Sequence, residues 1–179
     1  MNMPLAMPSL ADTEAPEPCS IRTATILDLP ALVDLLCRLF TIETDFQVDP
    51  PRHARGLRML LRQARRGLAC VLVAEVSSEV VGMATVQTVI STAEGARSGW
   101  IEDVVIREDW RGAGIGARLM DAAAQWARHA GITRLQLLAD QRNSPALGFY
   151  DHLDFSRTNM VCLRRSAVRP NNKASEPHK

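Results

Sequence analysis

The sequence predicts an α+β protein built on one mixed sheet. Three observations carry that reading. Leu68 to Ile106 holds three strand-like apolar runs parted by short polar stretches, the pattern of consecutive antiparallel strands. Apolar residues then recur at helical spacing to Ala130 and are followed by another apolar run. A strand–helix–strand connection of that length sets its two strands in parallel. Two more helical segments come before the sheet, so helices flank it. The chain has 179 residues, enough for one domain with a sizeable core.

Taken in order, residues 1–20 are rich in Pro, Ala and acid without periodicity, and are expected to be a disordered extension. Ile21 to Ala24 reads as a short strand. Asp28 is expected to cap the first helix, with Pro30 in its first turn and Leu32, Leu35, Leu36 and Leu39 on one face. A polar connection from Thr41 to Pro51 leads to a second helix ending near Arg66. Its stripe is Leu57, Leu60 and Leu61, and six arginines decorate the rest. Without interleaved aromatic residues, those arginines read as a solvated face, not a nucleic-acid patch.

Leu68–Val76 and Val80–Ile90 form a hairpin, and Gly82 marks a bulge or a close backbone approach. Ser91–Ser98 reads as a loop and Gly99–Ile106 as the third strand. The next helix, about Gly114 to Ala130, buries Ile115, Leu119, Ala123 and Trp126 and ends at Gly131. Arg134–Asp140 is a strand, Asn143 caps a short helix, Thr158–Leu163 is a last strand, and residues 166–179 are a flexible tail.

Between the third strand and the third helix lies Arg111-Gly112-Ala113-Gly114-Ile115-Gly116-Ala117. A glycine-rich turn at a helix N-terminus offers unpaired N–H groups and the positive end of the dipole to a phosphate. Gly116 is followed by Ala117-Arg118, so this is not a Walker loop, and the G-x-G-x-G spacing is not the dinucleotide fingerprint. Arg-x-x-Gly-x-Gly after a strand, with Glu102-Asp103 upstream, resembles the acetyl-CoA motif of the GNAT (Gcn5-related N-acetyltransferase) superfamily. The stretch Asn143 to Tyr150 is similar to that family's second signature, Asn-x-x-Ala-x-x-Phe/Leu-Tyr, although Asp154 stands where a glycine usually follows. The likeness covers Ile21 to Arg165. Ile101-Glu102-Asp103 is nearest to polyamine, thialysine and glucosamine-phosphate acetyltransferases.

The resemblance implies the acyl-CoA N-acyltransferase fold, a mostly antiparallel sheet with a splayed parallel strand pair. It implies acetyl-CoA as co-substrate, held by the backbone of Val104, Val105 and Ile106, by Arg111 and the amides of Gly112 to Ala117, and by Asn143. Tyr150 would protonate the leaving thiolate. Glu102 is the candidate base, through water. Glu43, Asp45 and Asp49, in a loop region that borders the acceptor site in the family, are candidates for holding a cationic amine, as are Glu102 and Asp103. Adjacent strand residues face opposite ways, so Glu102 and Asp103 are not expected to act as a pair, and Asp103 is read as structural or as a second contact.

The expected activity is acetyl transfer to the primary amine of a small cationic molecule. A protein or peptide acceptor and a non-catalytic acyl-CoA-binding module are the alternatives. A formal net charge of +1 gives no field for nucleic acid, and no apolar run is long enough to span a membrane. Cys19, Cys37, Cys70 and Cys162 have no metal-ligand spacing, so no metal is expected. Cys37, Cys70 and Cys162 read as buried thiols of a reducing compartment, and the protein as cytoplasmic. Family members often dimerise, which leaves a homodimer open.

Overall fold

A computed structural model describes residues 18–43 and 45–167. The expected extension over 1–20 and tail over 166–179 lie almost wholly outside them. The elements are β1 (Ser20–Thr23), α1 (Leu29–Ile42), α2 (Pro50–Ala64), β2 (Ala69–Val76), β3 (Glu79–Ser91), β4 (Ala96–Ile106), α3 (Ile115–His129), β5 (Ile132–Leu137) and α4 (Ser144–Asp151). The sheet order is β1-β2-β3-β4-β5. All neighbours are antiparallel except β4 and β5, which are parallel.

Burial on both faces explains the uninterrupted apolar run of β2. Leu72 and Ala74 face Ile115, Leu119 and Ala123 of α3. Val71 and Val73 face Leu32, Leu35, Leu36, Leu57 and Leu61 of α1 and α2. Leu32 and Leu119 are wholly buried, and truncating either to alanine would cost about 2–5 kcal/mol. Ser77 and Ser78 both have positive φ, the two-residue turn that joins twisted strands. Gly82 meets both expectations. Val81 is an extra residue, since Ala74 pairs Gly82 and Glu75 pairs Val80. A Cβ on Gly82 would also stand 2.5 Å from Ile106 Cδ1.

Several expectations need correction. Asp28 precedes α1 but makes no side-chain cap there. Its carboxylate turns back to the N–H of Thr25 in a capping box and accepts two bonds from Arg22, at 2.8 and 2.9 Å. The arginine draws it away from the helix, and holds its carboxyl down at about 2. β4 starts at Ala96 because Gly95, at φ +59, closes a tight turn in place of the longer loop. β5 starts two residues early, at Ile132, directly after the left-handed Gly131.

Thr158–Leu163 forms no strand. The segment instead runs to the loop after α1, where the Arg164 guanidinium lies 4.9 Å from the Phe46 ring centre and 3.7 Å from Asp45. Cys162 is therefore exposed, whereas Cys70 is buried and its thiol is pushed up to about 11.

Candidate active site

β4 and β5 part company midway. Their pairing runs from Arg97/Ile132 to Ile101/Leu137 and stops, while β4 continues to Ile106. Glu102 to Ile106 thus present backbone toward a gap that β5 has left. Val104 and Ile106 turn their side chains to the α3 core, and Val105 turns to the α1–α2 core.

The glycine turn opens at the same end. Gly112 and Gly114 have φ of +78° and +75°, a region that costs other residues about 1 kcal/mol or more. The first bond of α3 runs from Arg118 N–H to Gly114 C=O at 3.2 Å, so the N–H groups of Ile115, Gly116 and Ala117 have no partner within the helix. A Cβ on Gly116 would stand 3.2 Å from the Phe149 ring, so this glycine lets α4 approach. Arg111 folds back to donate to the Ile106 carbonyl at 3.2 Å and stays exposed. A strand edge leading into a cradle of free amides suits an extended amide-bearing arm that ends in phosphate, the chemistry of acetyl-CoA.

α4 closes the other side. Asn143 Oδ1 accepts from Ala146 N–H at 3.1 Å, the expected cap, and leaves its amide nitrogen available. Tyr150 lies against Phe149 and Phe155, with ring centres 5.2 and 5.8 Å away. Its phenol is raised by burial and by the charge of Glu43. Asp154 takes the left-handed conformation, φ +62, where the family usually has glycine.

Across β4 lies a cavity of ≈ 460 Å³. Leu36, Phe40, Leu57 and Leu60 form its apolar wall, and Glu102 and Asp103 lie together in its lining. That corrects the expectation of opposite faces. Met83 pairs Val105 but Thr85 pairs Glu102, so β4 bulges over Asp103 and Val104. Asp103 has φ +54 there. The bulge breaks the two-residue alternation and turns both carboxylates into one space.

Their surroundings differ. Glu102 is exposed and accepts from Gln87 Nε2 at 2.8 Å. Asp103 is half-buried. Thr85 Oγ1 donates to the Glu102 carbonyl at 2.9 Å and lies 3.5 Å from Asp103 Oδ2. Burial pushes the Asp103 carboxyl up to about 7, helped by the charges of Glu102 and Glu43.

Glu43, at the end of α1, is raised by burial and by Asp140 and Asp45. Asp45 is exposed and paired with Arg164, and Asp49 accepts from Arg52 N–H at 3.0 Å as the cap of α2. Glu43, Asp45 and Asp49 do not line the cavity. His53 and Gln87 do, and were missed from sequence. The signal for His53 was its place four residues before Leu57, on the apolar stripe. Its Nε2 accepts from Asp49 N–H at 2.9 Å, and its ring lies 4.9 Å from Phe40.

The pattern of the Acetyltransferase (GNAT) family matches residues 29–155. An L-methionine sulfoximine/L-methionine sulfone acetyltransferase of Pseudomonas aeruginosa is 27% identical over 140 residues, 76% of this chain and 79% of the relative. An aminoalkylphosphonate N-acetyltransferase of Salmonella typhimurium is 28% identical over 132 residues, 74% of this chain and 81% of the relative. The crystal structure of glucosamine-6-phosphate N-acetyltransferase from Arabidopsis thaliana superposes with a TM-score of 0.67 over 83% of this chain and 99% of that one, at 18% identity, a likeness of fold. With its family pattern spanning most of the chain and its sheet, glycine turn and α4 placed as described, the protein belongs to the GNAT family and is an N-acetyltransferase of the GNAT type.

Proposed function

We propose that the protein transfers the acetyl group of acetyl-CoA to the primary amine of a small cationic molecule. The observation that carries this reading is the placing of two carboxylates, Glu102 and Asp103, on the bulge that borders the free edge of β4. Bound acetyl-CoA supplies the activated acyl group. The backbone of Val104 to Ile106 would hold its amide arm, with one N–H polarising the acyl carbonyl. Gly112 to Ala117 and Arg111 would take the phosphates, and Asn143 the arm. Tyr150 would return a proton to the departing sulfur. Glu102 would attract the ammonium.

Both of the relatives above are named for amines that carry an acidic group. Here, among the described residues, the one guanidinium on the cavity wall is Arg52, which is ion-paired to Asp49 at 3.3 Å. Two carboxylates against one neutralised cation favour an acceptor without an acid of its own. The apolar wall suits its hydrocarbon part.

Amine-dependent thiol release from acetyl-CoA tests the reading. The acceptors are polyamines, amino sugars, aminoglycosides, amino acids, aminoalkylphosphonates and peptides. Release with cationic amines, reduced roughly 10- to 100-fold in kcat by Tyr150→Phe, is the expected result. Preference for amino acids or phosphonates would reverse the acceptor assignment. Release with peptides alone would move it to protein substrates.

A further inference from the structure

We infer that Asp103, and not Glu102, is the proton acceptor for the attacking amine, an assignment that rests on the acetyl-transfer reading above. Three observations support it. Asp103 sits at the bulge itself, at φ +54, a conformation that non-glycine residues adopt at a cost and that concentrates at functional sites. The bulge turns its carboxylate into the cavity, beside the part of β4 that β5 leaves free. Glu102 is engaged by Gln87 at 2.8 Å and exposed, so it can hold an ammonium but lies in water.

The groups facing Asp103 explain its basicity. Glu102 stands on its own strand, Thr85 on β3 and Glu43 beyond α1. His53 and Arg52 of α2 line the same cavity, and Arg52 is tied to Asp49. The nearby carboxylates and the burial favour the protonated form, and Thr85 opposes them. An ordinary carboxylate is about six units below an alkylammonium, and one near 7 closes about half that gap.

In the step, an N–H bond of the substrate ammonium breaks and its proton passes to Asp103. The electron pair left on nitrogen forms the C–N bond to the acyl carbon. The C–S bond breaks, its pair goes to sulfur, sulfur takes the Tyr150 proton, and the nitrogen gives up its second proton to water, leaving a neutral amide. Asp103 then releases its proton to water and Tyr150 regains one from water.

The test is the pH profile of kcat/KM for the best amine of the panel, in wild type, Asp103→Asn and Glu102→Gln. Asparagine keeps the left-handed backbone, and cooperative melting with an acetyl-CoA-induced shift identifies folded variants. The wild-type profile should rise through about pH 7. Asp103→Asn should lose that rise and about 100-fold in kcat at pH 8. Glu102→Gln should keep the rise and chiefly raise KM. A rise that survives Asp103→Asn and disappears in Glu102→Gln would overturn the assignment and leave acetyl transfer standing. Wild type that acetylates no amine and shows no acetyl-CoA shift would overturn the acetyl-transfer reading and this assignment with it.

Discussion

Asp103 and Asp28 are opposite cases of one linkage. Folding buries Asp103 among like charges and raises its carboxyl to about 7, against about 3.9 in an unfolded chain. Between those values the native state holds a proton that the unfolded chain has lost. Stability contributed there falls as pH rises from about 4 to about 7, and does not return above it. Asp103→Asn should therefore stabilise the protein at pH 8 by about 1–3 kcal/mol, or roughly 3–9 °C in Tm, and much less at pH 4. Differential scanning calorimetry at the two pH values reads this directly. A substitution that stabilises the fold while removing activity is the mark of a group kept for function. Asp28 is held at about 2 by Arg22, whose Nε and Nη2 also reach Glu75, at 2.8 and 2.5 Å. Its stability is present above about pH 4 and is lost as pH falls toward 2. Asp28→Asn should cost about 1–3 kcal/mol at pH 7 in urea unfolding, with the difference shrinking toward pH 2.

At the scale of elements, position and spacing decide what sequence can reveal. Gly82 and Gly114 were legible as glycines with a purpose. The first admits Ile106 and Val105 against β3, and the second turns the chain into α3 at φ +75. Gly82→Ala should cost about 1–3 kcal/mol by thermal melting, because the added Cβ also stands 3.1 Å from the Val105 carbonyl and cannot be relieved by a side chain alone. The apolar periods placed α1, α2, β2 and β3 within one or two residues, since Leu32, Leu35, Leu57 and Leu61 repeat at helical spacing and β2 is apolar throughout. The bulge at Asp103 was not legible. It arises where β3 and β4 lose register, a property of two strands, and no local residue in Ile101-Glu102-Asp103-Val104 announces it. Strict alternation therefore separated two carboxylates that the fold brings together. Gln87 was missed for the same reason, because its partner is across the sheet. Glu43 and Asp45 came from the family likeness, and only Glu43 is electrostatically joined to Tyr150 and Asp103.

For the molecule as a whole, the sheet and its helices hold residues 20–155 together, and the segment after Phe155 is attached differently. Met160, Val161 and Leu163 are exposed, and Arg164 ties the segment to the loop at Asp45 and Phe46. The sequence suggested a strand over Thr158–Leu163, but a strand needs a paired neighbour, and among the described residues β5 is the last strand of the sheet. Limited trypsinolysis should cut at Arg157, Arg164 or Arg165 before any arginine of α2 or α3, as electrophoresis with intact-mass measurement would read. At this scale the central claim is that acetyl-CoA lies between the free end of β4 and the start of α3. Hydrogen exchange of the whole chain, with and without acetyl-CoA, tests it most directly. Amides of Val104 to Ile106 and Gly112 to Ala117 should slow together on binding, while those of β1 stay unchanged. Binding that leaves both stretches unprotected would contradict the account.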